Sequence, residues 1–245
     1  MSVKTALRVI EIIELFAREK RPLPLSELAR LLDAPVSSCL ALIRTLSELG
    51  YLYETSRRTG YYPTSRLLAM AQRIAHNDPV RERVYPSLVA LRDATQETVV
   101  FAKLTADRRV VYLDVLDSPH SIRYVAVGGE FKPVHANSLG KALIAVLDPA
   151  DRQAVLARAP LVRYTDKTLT DIAALEADLT RSRERGWYLN AGESINDVGA
   201  IAWPVKLNGE YYAISVGAPI YRIEPNQHTY AGILRAACTA LEQAG

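Results

Sequence analysis

The stretch LSELARLLDAPVSSCLALIRTLSEL, residues 25–49, limits what this chain can fold into more than any other. Apolar residues recur every three or four positions on both sides of Asp33-Ala34-Pro35. Proline lacks the N–H that a helix interior needs and clashes with the preceding turn. The periodicity therefore predicts two short helices joined by a tight turn, the second running over VSSCLALIRTLSEL and ended by Gly50. Upstream, Val3, Ala6, Leu7, Ile10, Ile13 and Ala17 mark a helix from Ser2 to Glu19, broken by Pro22 and Pro24. Val9, Ile12 and Phe16 widen its apolar stripe, which implies burial on two sides: within the domain and against something else. Downstream, YLYE and YYPT flank the basic turn TSRRTG, a hairpin with Arg57 and Arg58 at its tip.

Helix, helix, turn, helix and basic hairpin, spanning residues 1–66, is the order of an all-α-plus-wing winged helix-turn-helix domain. In that arrangement the third helix enters the major groove of duplex DNA and the wing touches phosphates. The candidate DNA-contacting residues are Val36, Ser37, Ser38, Leu40, Ala41, Arg44 and Thr45, with Arg57 and Arg58 on the wing. Leu42, Ile43, Leu46 and Leu49 are the expected core of that helix. With Leu40 and Ala41 in reading positions, apolar contact with thymine methyls and hydroxyl contacts gain weight. The net charge of +3 agrees with this placement, because residues 1–66 hold ten Lys/Arg against seven Asp/Glu and the remainder holds twenty against twenty. The competing readings are an interaction module with a degenerate helix-turn-helix that binds no DNA, and, further off, a small-molecule hydrolase.

TSRLLAMAQRIAHN reads as a linker helix over 67–78, closed by Asp78-Pro79. Residues 79–245 then form a second domain. A helix from Val80 to Ala94 precedes strands in ETVVFAKLT, RVVYLDVLD and SIRYVAV; WYLN, VGAIAWPV and YYAISVGAP return to strand, and a last helix covers Asn226–Gln243. This is an α+β domain, expected to carry its helices on one side of the sheet. No apolar run approaches the roughly 20 residues of a membrane span, and the basic-acidic N-terminus is unlike a signal peptide, so the cytoplasm is expected and no membrane partner. Cys39 and Cys238 are read as buried spectators. There is no G-x-S-x-G, H-E-x-x-H or paired-cysteine pattern, so no catalytic residue, metal or cofactor is assigned. Glu193 and Asp197 sit in the loop GESIND, where solvated or turn-capping roles compete with acid–base work.

HANSLGKALIA, residues 135–145, has the Gly-Lys of a phosphate loop, but it lacks the loop's first glycine and the hydroxyl after the lysine. What remains is a helix start, with Ser138 as candidate cap and room for one small anion. Tyr124, Trp203, Trp187 and Phe101 are candidates for an apolar ligand cage or for core.

These segments, with RERGWYLNAGESINDVGAIAWPV and YYAISVGAPIYRI, resemble the IclR-type family of bacterial transcriptional regulators over nearly the whole chain. The resemblance implies a GAF-like effector-binding domain at 79–245 and a small organic acid effector. It also implies a homo-oligomer, dimer or tetramer, with the first helix pairing the DNA domains. The effector residues it implies are the backbone amides of Ser138, Leu139 and Gly140 with side chains from the 193–196 loop, Glu193 and Asn196 among them, and Ser215. Tyr124 and Trp203 join that set as apolar lining. Ala41 stands where the family usually has Arg, and Gly217 where some members have a second Ser.

Overall fold

The computed structural model describes residues 3–55 and 60–244; Arg57 and Arg58 lie outside the described residues. The chain divides into two compact units, Met1–Asp78 and Pro79–Gly245.

The first unit contains α1 (Lys4–Glu19), α2 (Leu25–Leu31), α3 (Val36–Glu48), β1 (Leu52–Glu54), β2 (Tyr61–Pro63) and α4 (Arg66–His76). Its core gathers Ile12, Leu15 and Phe16 of α1 with Leu23, Leu28, Ile43, Leu46 and Leu52. Asp33 takes a left-handed conformation (φ 46°) to make the sharp turn. The Arg8 guanidinium reaches across from α1 to the carbonyls of Leu32 and Asp33 and so ties the turn to the first helix. β1 and β2 pair antiparallel, and Leu23 exchanges backbone hydrogen bonds with Tyr61 at the hairpin's other edge.

Two sequence expectations need correction here. The wide stripe of α1 divides by face: Ile12 and Phe16 belong wholly to the core and Val9 packs against it, whereas Val3, Leu7 and Ile10 are exposed, 70%, 49% and 53%. Leu7, Ile10 and Ala17 recur at helical spacing on a face that finds no core within the unit. Leu49, expected inside, is 54% exposed because α3 ends at Glu48 and the chain turns at Gly50 (φ 75°).

The second unit contains α5 (Pro79–Thr95), β3 (Thr98–Leu104), β4 (Val110–Leu116), β5 (Phe131–Lys132), α6 (Ser138–Ala145), α7 (Pro149–Arg158), α8 (Ile172–Arg185), β6 (Tyr188–Ala191), β7 (Val198–Leu207), β8 (Glu210–Pro219) and α9 (Ile220–Gln243). The strands form one antiparallel sheet in the order β5-β4-β3-β8-β7-β6. Helices cover both faces, contrary to the one-sided expectation. α5 and α9 pack on Val99, Phe101, Ile201, Ile214 and Val216. α6, α7 and α8 pack on Val100, Ala102, Ala202 and Ala213. The cause is legible in β3, whose neighbours Val99, Val100, Phe101 and Ala102 are all buried: a strand apolar on both faces must be covered on both.

SIRYVAV is the second departure in this unit. It is not a strand, because β4 takes Phe131–Lys132 as its edge partner. Ile122, Val125 and Val127 are left exposed. α9 also begins at Ile220, six residues before expected, and continues across Pro225; Ile223 anchors its start by packing against Gly199. Among the described residues no helix is long and apolar enough to cross a membrane.

Candidate functional site

On α3, alternation between core and solvent sorts the candidate DNA readers. Cys39, Ile43 and Leu46 point inward, while Val36, Ser37, Ser38, Ala41, Arg44 and Thr45 are exposed and Leu40 is half-buried. The exposed set forms one continuous face, since these positions recur at helical spacing. The first turn of α3 carries no acidic residue, so the partial positive charge of its free amides is left uncancelled. Elsewhere in this unit Arg8, Arg18, Arg21 and Arg30 are engaged with Glu11, Glu19 and Glu27. Arg44 has no acidic partner among the described residues. Thr45 donates its hydroxyl back to the Ala41 carbonyl at 3.0 Å, leaving its oxygen free to accept.

In the second unit the candidate effector residues gather around α6. The sheet beneath α6 presents small side chains: Thr98, Gly217 and Ala200 lie in register, as do Val100, Ser215 and Ala202. Ser215 is buried in this floor. Tyr124 lies over Gly217, whose added Cβ would come 3.0 Å from the ring, and its backbone carbonyl accepts from the Thr98 hydroxyl at 2.6 Å. A polar chain continues from the Tyr124 hydroxyl to that of Tyr112 at 3.4 Å, and the Asn137 amide donates to Tyr112 at 2.8 Å. Burial and the adjacent Tyr124 hydroxyl push the Tyr112 phenol above its usual range, so it is a neutral donor and acceptor.

Asn137, not Ser138, caps α6. Its side-chain oxygen accepts from the Leu139 amide at 2.9 Å because Asn137 takes the extended conformation of a cap residue. Of the three amides expected to meet a ligand, Leu139 is thus already satisfied. Those of Ser138 and Gly140 have no acceptor among the described residues. The Ser138 hydroxyl is buried and has no partner either.

The Gly-Lys pair has a structural explanation at both positions. A Cβ on Gly140 would lie 2.4 Å from the Val134 carbonyl oxygen, so glycine is required for α6 to pack on the 133–137 segment. Lys141 is wholly buried, its ammonium 2.6 Å from Glu193 Oε1 and donating to the Leu189 carbonyl at 3.0 Å. Asp178 Oδ2 lies 2.8 Å away but off the hydrogen-bond direction, an ion contact instead of an aligned bond. A lysine held this way is not free to bind phosphate. Burial raises the Glu193 carboxyl pKa against the lowering pull of Lys141, and its Oε2 is unpartnered. Thr165 and Thr168 hold the loop after Glu193 through the Gly192 and Glu193 carbonyls.

The remaining effector candidates do not join this cluster. Trp203 packs with the α5–α9 core on the opposite face of the sheet, as do Phe101 and Trp187, because β7 alternates and Ile201, Trp203 and Val205 share that face. Asn196 is exposed at the loop tip. Asn137, Tyr112 and Lys141 are the residues sequence reasoning missed. Asn137 carried a signal, since Asn one residue before a helix start is a preferred cap.

A winged helix-turn-helix followed by an antiparallel sheet domain, with a polar cluster at a buried helix start, defines the class of two-domain transcriptional regulators. Residues 5–56 match the IclR helix-turn-helix domain and residues 72–243 the bacterial transcriptional regulator IclR C-terminal domain. The chain belongs to the IclR family of bacterial transcriptional regulators. The HTH-type transcriptional regulator BhcR of Paracoccus denitrificans is 32% identical over 218 residues, 88% of this chain and 77% of that protein. An IclR transcriptional regulator from Alicyclobacillus acidocaldarius shares the fold at a TM-score of 0.84 and 24% identity, over 99% of both chains. An IclR homolog of Microbacterium hydrocarbonoxydans, solved in complex with 4-hydroxybenzoate, does so at 0.81 and 24%, over 98% of both. The curated relatives named by these matches are transcriptional regulators.

Proposed function

We propose that this regulator binds operator DNA through the exposed face of α3 with Arg57 and Arg58 on the wing. We further propose that it controls a catabolic operon in response to a small organic acid, with aromatic carboxylates the leading class. The effector docks at the start of α6. One observation carries this reading: the free amides of Ser138 and Gly140 and the orphaned Ser138 hydroxyl, on the same face of the sheet as Ser215. A helix N-terminus with free amides attracts a carboxylate by charge and by direct hydrogen bonds. Tyr124 and Tyr112 supply an aromatic wall and hydroxyl partners. Residues 67–78 act as the linker between a DNA domain at 1–66 and an effector domain at 79–245. The exposed stripe Val3, Leu7 and Ile10 supports a homodimer that reads a near-palindromic operator.

The experiment is a thermal-shift screen of organic acids, with 4-hydroxybenzoate the first probe because one relative is described in complex with it. Duplexes selected from a random pool serve to follow DNA release by anisotropy. A ligand at 100 times its Kd stabilises the folded state by about 2.7 kcal/mol, a readily visible shift. A panel in which no acid raises the midpoint or alters DNA affinity refutes the effector reading. Failure to select any duplex, with no loss of binding as salt rises, refutes the DNA reading.

A further inference from the structure

The sheet domain has a recess of about 360 Å³ that none of the effector residues considered above lines. Its walls are apolar and aromatic, with Phe131, Val134, Val155 and Tyr164 among them. Arg108, Arg109, Lys132 and Arg158 also line it, against Asp107 as the one carboxylate in the lining. Asp107 is already held by Arg109 at 2.7 Å and by Thr105, and Glu130 takes Lys132 at 2.9 Å. The Arg109 guanidinium also stacks on Phe131, 4.0 Å from the ring centre. Arg108 and Arg158 are exposed and have no acidic partner among the described residues. The recess therefore carries an uncompensated positive charge beside an apolar wall.

His135 lies in that wall, wholly buried. Its Nε2 is 2.9 Å from the Val162 carbonyl, which only accepts, so Nε2 carries the proton and donates. Burial lowers the pKa of the ring and holds it neutral, against the raising effect of the Val162 bond. Nδ1 is thereby an acceptor, and it has no partner. A buried orphan of this kind calls for an explanation, and a ligand donor is one. The Tyr164 ring lies 5.9 Å from the imidazole, tilted by 30°.

We propose that this recess is an accessory anion site, separate from the polar cluster at the start of α6, which takes a hydroxylated aromatic carboxylate. The carboxylate pairs with Arg108 and Arg158, the ring lies against Tyr164 and Val155, and the ring hydroxyl donates to His135 Nδ1. Val134 belongs both to this wall and to the backbone that packs on Gly140. Occupancy of the recess thus bears on the segment that sets the start of α6.

The test uses the full chain with ¹⁵N,¹³C-labelled histidine, the His135 ring signal being assigned with His135→Gln. Benzoate, 4-hydroxybenzoate and acetate are titrated against wild type and the double variant Arg108→Asn, Arg158→Glu. Arg108 has φ 66°, which Asn tolerates, and both side chains are exposed, so the unit keeps its fold; its urea midpoint checks this. The expected result is a saturable shift of the His135 ring with both aromatic acids, larger with 4-hydroxybenzoate, and at least tenfold weaker binding in the double variant. Acetate, which brings charge without a ring, binds at least tenfold more weakly than benzoate. A His135 shift with unchanged Kd in the double variant means that the acid binds only at α6, which overturns the accessory site and leaves the effector reading standing. Absence of a saturable shift, or acetate binding as tightly as benzoate, overturns it as well.

Discussion

α3 and α6 are both short helices that begin beside polar residues, yet they meet their surroundings in opposite ways. α3 gives one face to the core and keeps Val36, Ser38, Ala41 and Arg44 in solvent. Every residue of α6, from Ser138 to Ala145, is buried. A reading surface has to be free before its partner arrives, so side chains on the open face of α3 owe nothing to the fold. α6 works from inside a core, where each position is fixed by neighbours on the sheet, on α8 and in the 133–137 segment. Function and stability are therefore separable on α3 and joined on α6.

The strongest way to break that contrast is Lys141→Met. It leaves Glu193 and Asp178 without their shared cation, and removing one partner of a buried ion pair costs about 3–5 kcal/mol. Trp187 and Trp203 are the only tryptophans and both lie in the sheet domain, so urea unfolding followed by fluorescence reads that unit alone. Gly140→Ala belongs to the same test and should cost roughly 1–3 kcal/mol through its collision with the Val134 backbone. If either variant keeps wild-type stability, α6 is less tightly coupled to its surroundings than its burial implies.

Arg44→Ala sharpens the other side. Its side chain is exposed and has no acidic partner among the described residues, so stability should change by less than about 0.5 kcal/mol. Operator affinity should fall by about 1–3 kcal/mol if Arg44 reads a base, with the loss concentrated on particular sequences. A uniform loss across all duplexes, with a lower salt slope, would assign it to a phosphate instead.

The smallest expected effect is one of pH. The folded pKa of His135 is depressed by burial, so its contribution to stability is fully present above the ordinary imidazole pKa of about 6.5 and is lost as pH falls through the lower folded value. The Lys141 charge adds to the lowering by burial, and the hydrogen bond to the Val162 carbonyl works against it. Wild type should lose stability on acidification at no more than about 1.4 kcal/mol per pH unit from this group, and His135→Gln should flatten that part of the profile. A profile unchanged by the substitution would show that His135 is solvated in solution.

Much of the first unit was legible because its determinants are local. The period of the apolar residues, the Asp33-Ala34-Pro35 break and Gly50 each act within a turn or two of chain. They placed α2, α3 and the hairpin, and they sorted Ile43 and Leu46 from Arg44 and Thr45. Less of the sheet domain was legible. SIRYVAV has the alternation of a strand, but a strand also needs a free edge, and Phe131–Lys132 occupies the edge of β4. Trp203 and Tyr124 look alike as aromatics in apolar segments, and only the register of β7 and β8 puts them on opposite sides of the sheet.

The sequence by itself determined the two-part order of the chain, the helix-turn-helix and the existence of a helix starting near Ser138. It did so because backbone propensity, caps and periodicity are written in neighbouring residues. The tertiary structure decided which residue caps that helix, why residue 140 is glycine, and that Lys141 faces Glu193 and Asp178 across 52 and 37 positions of sequence. Those are questions of close approach and of charge burial. They are settled only when distant segments are brought within a few ångströms and water is excluded from between them.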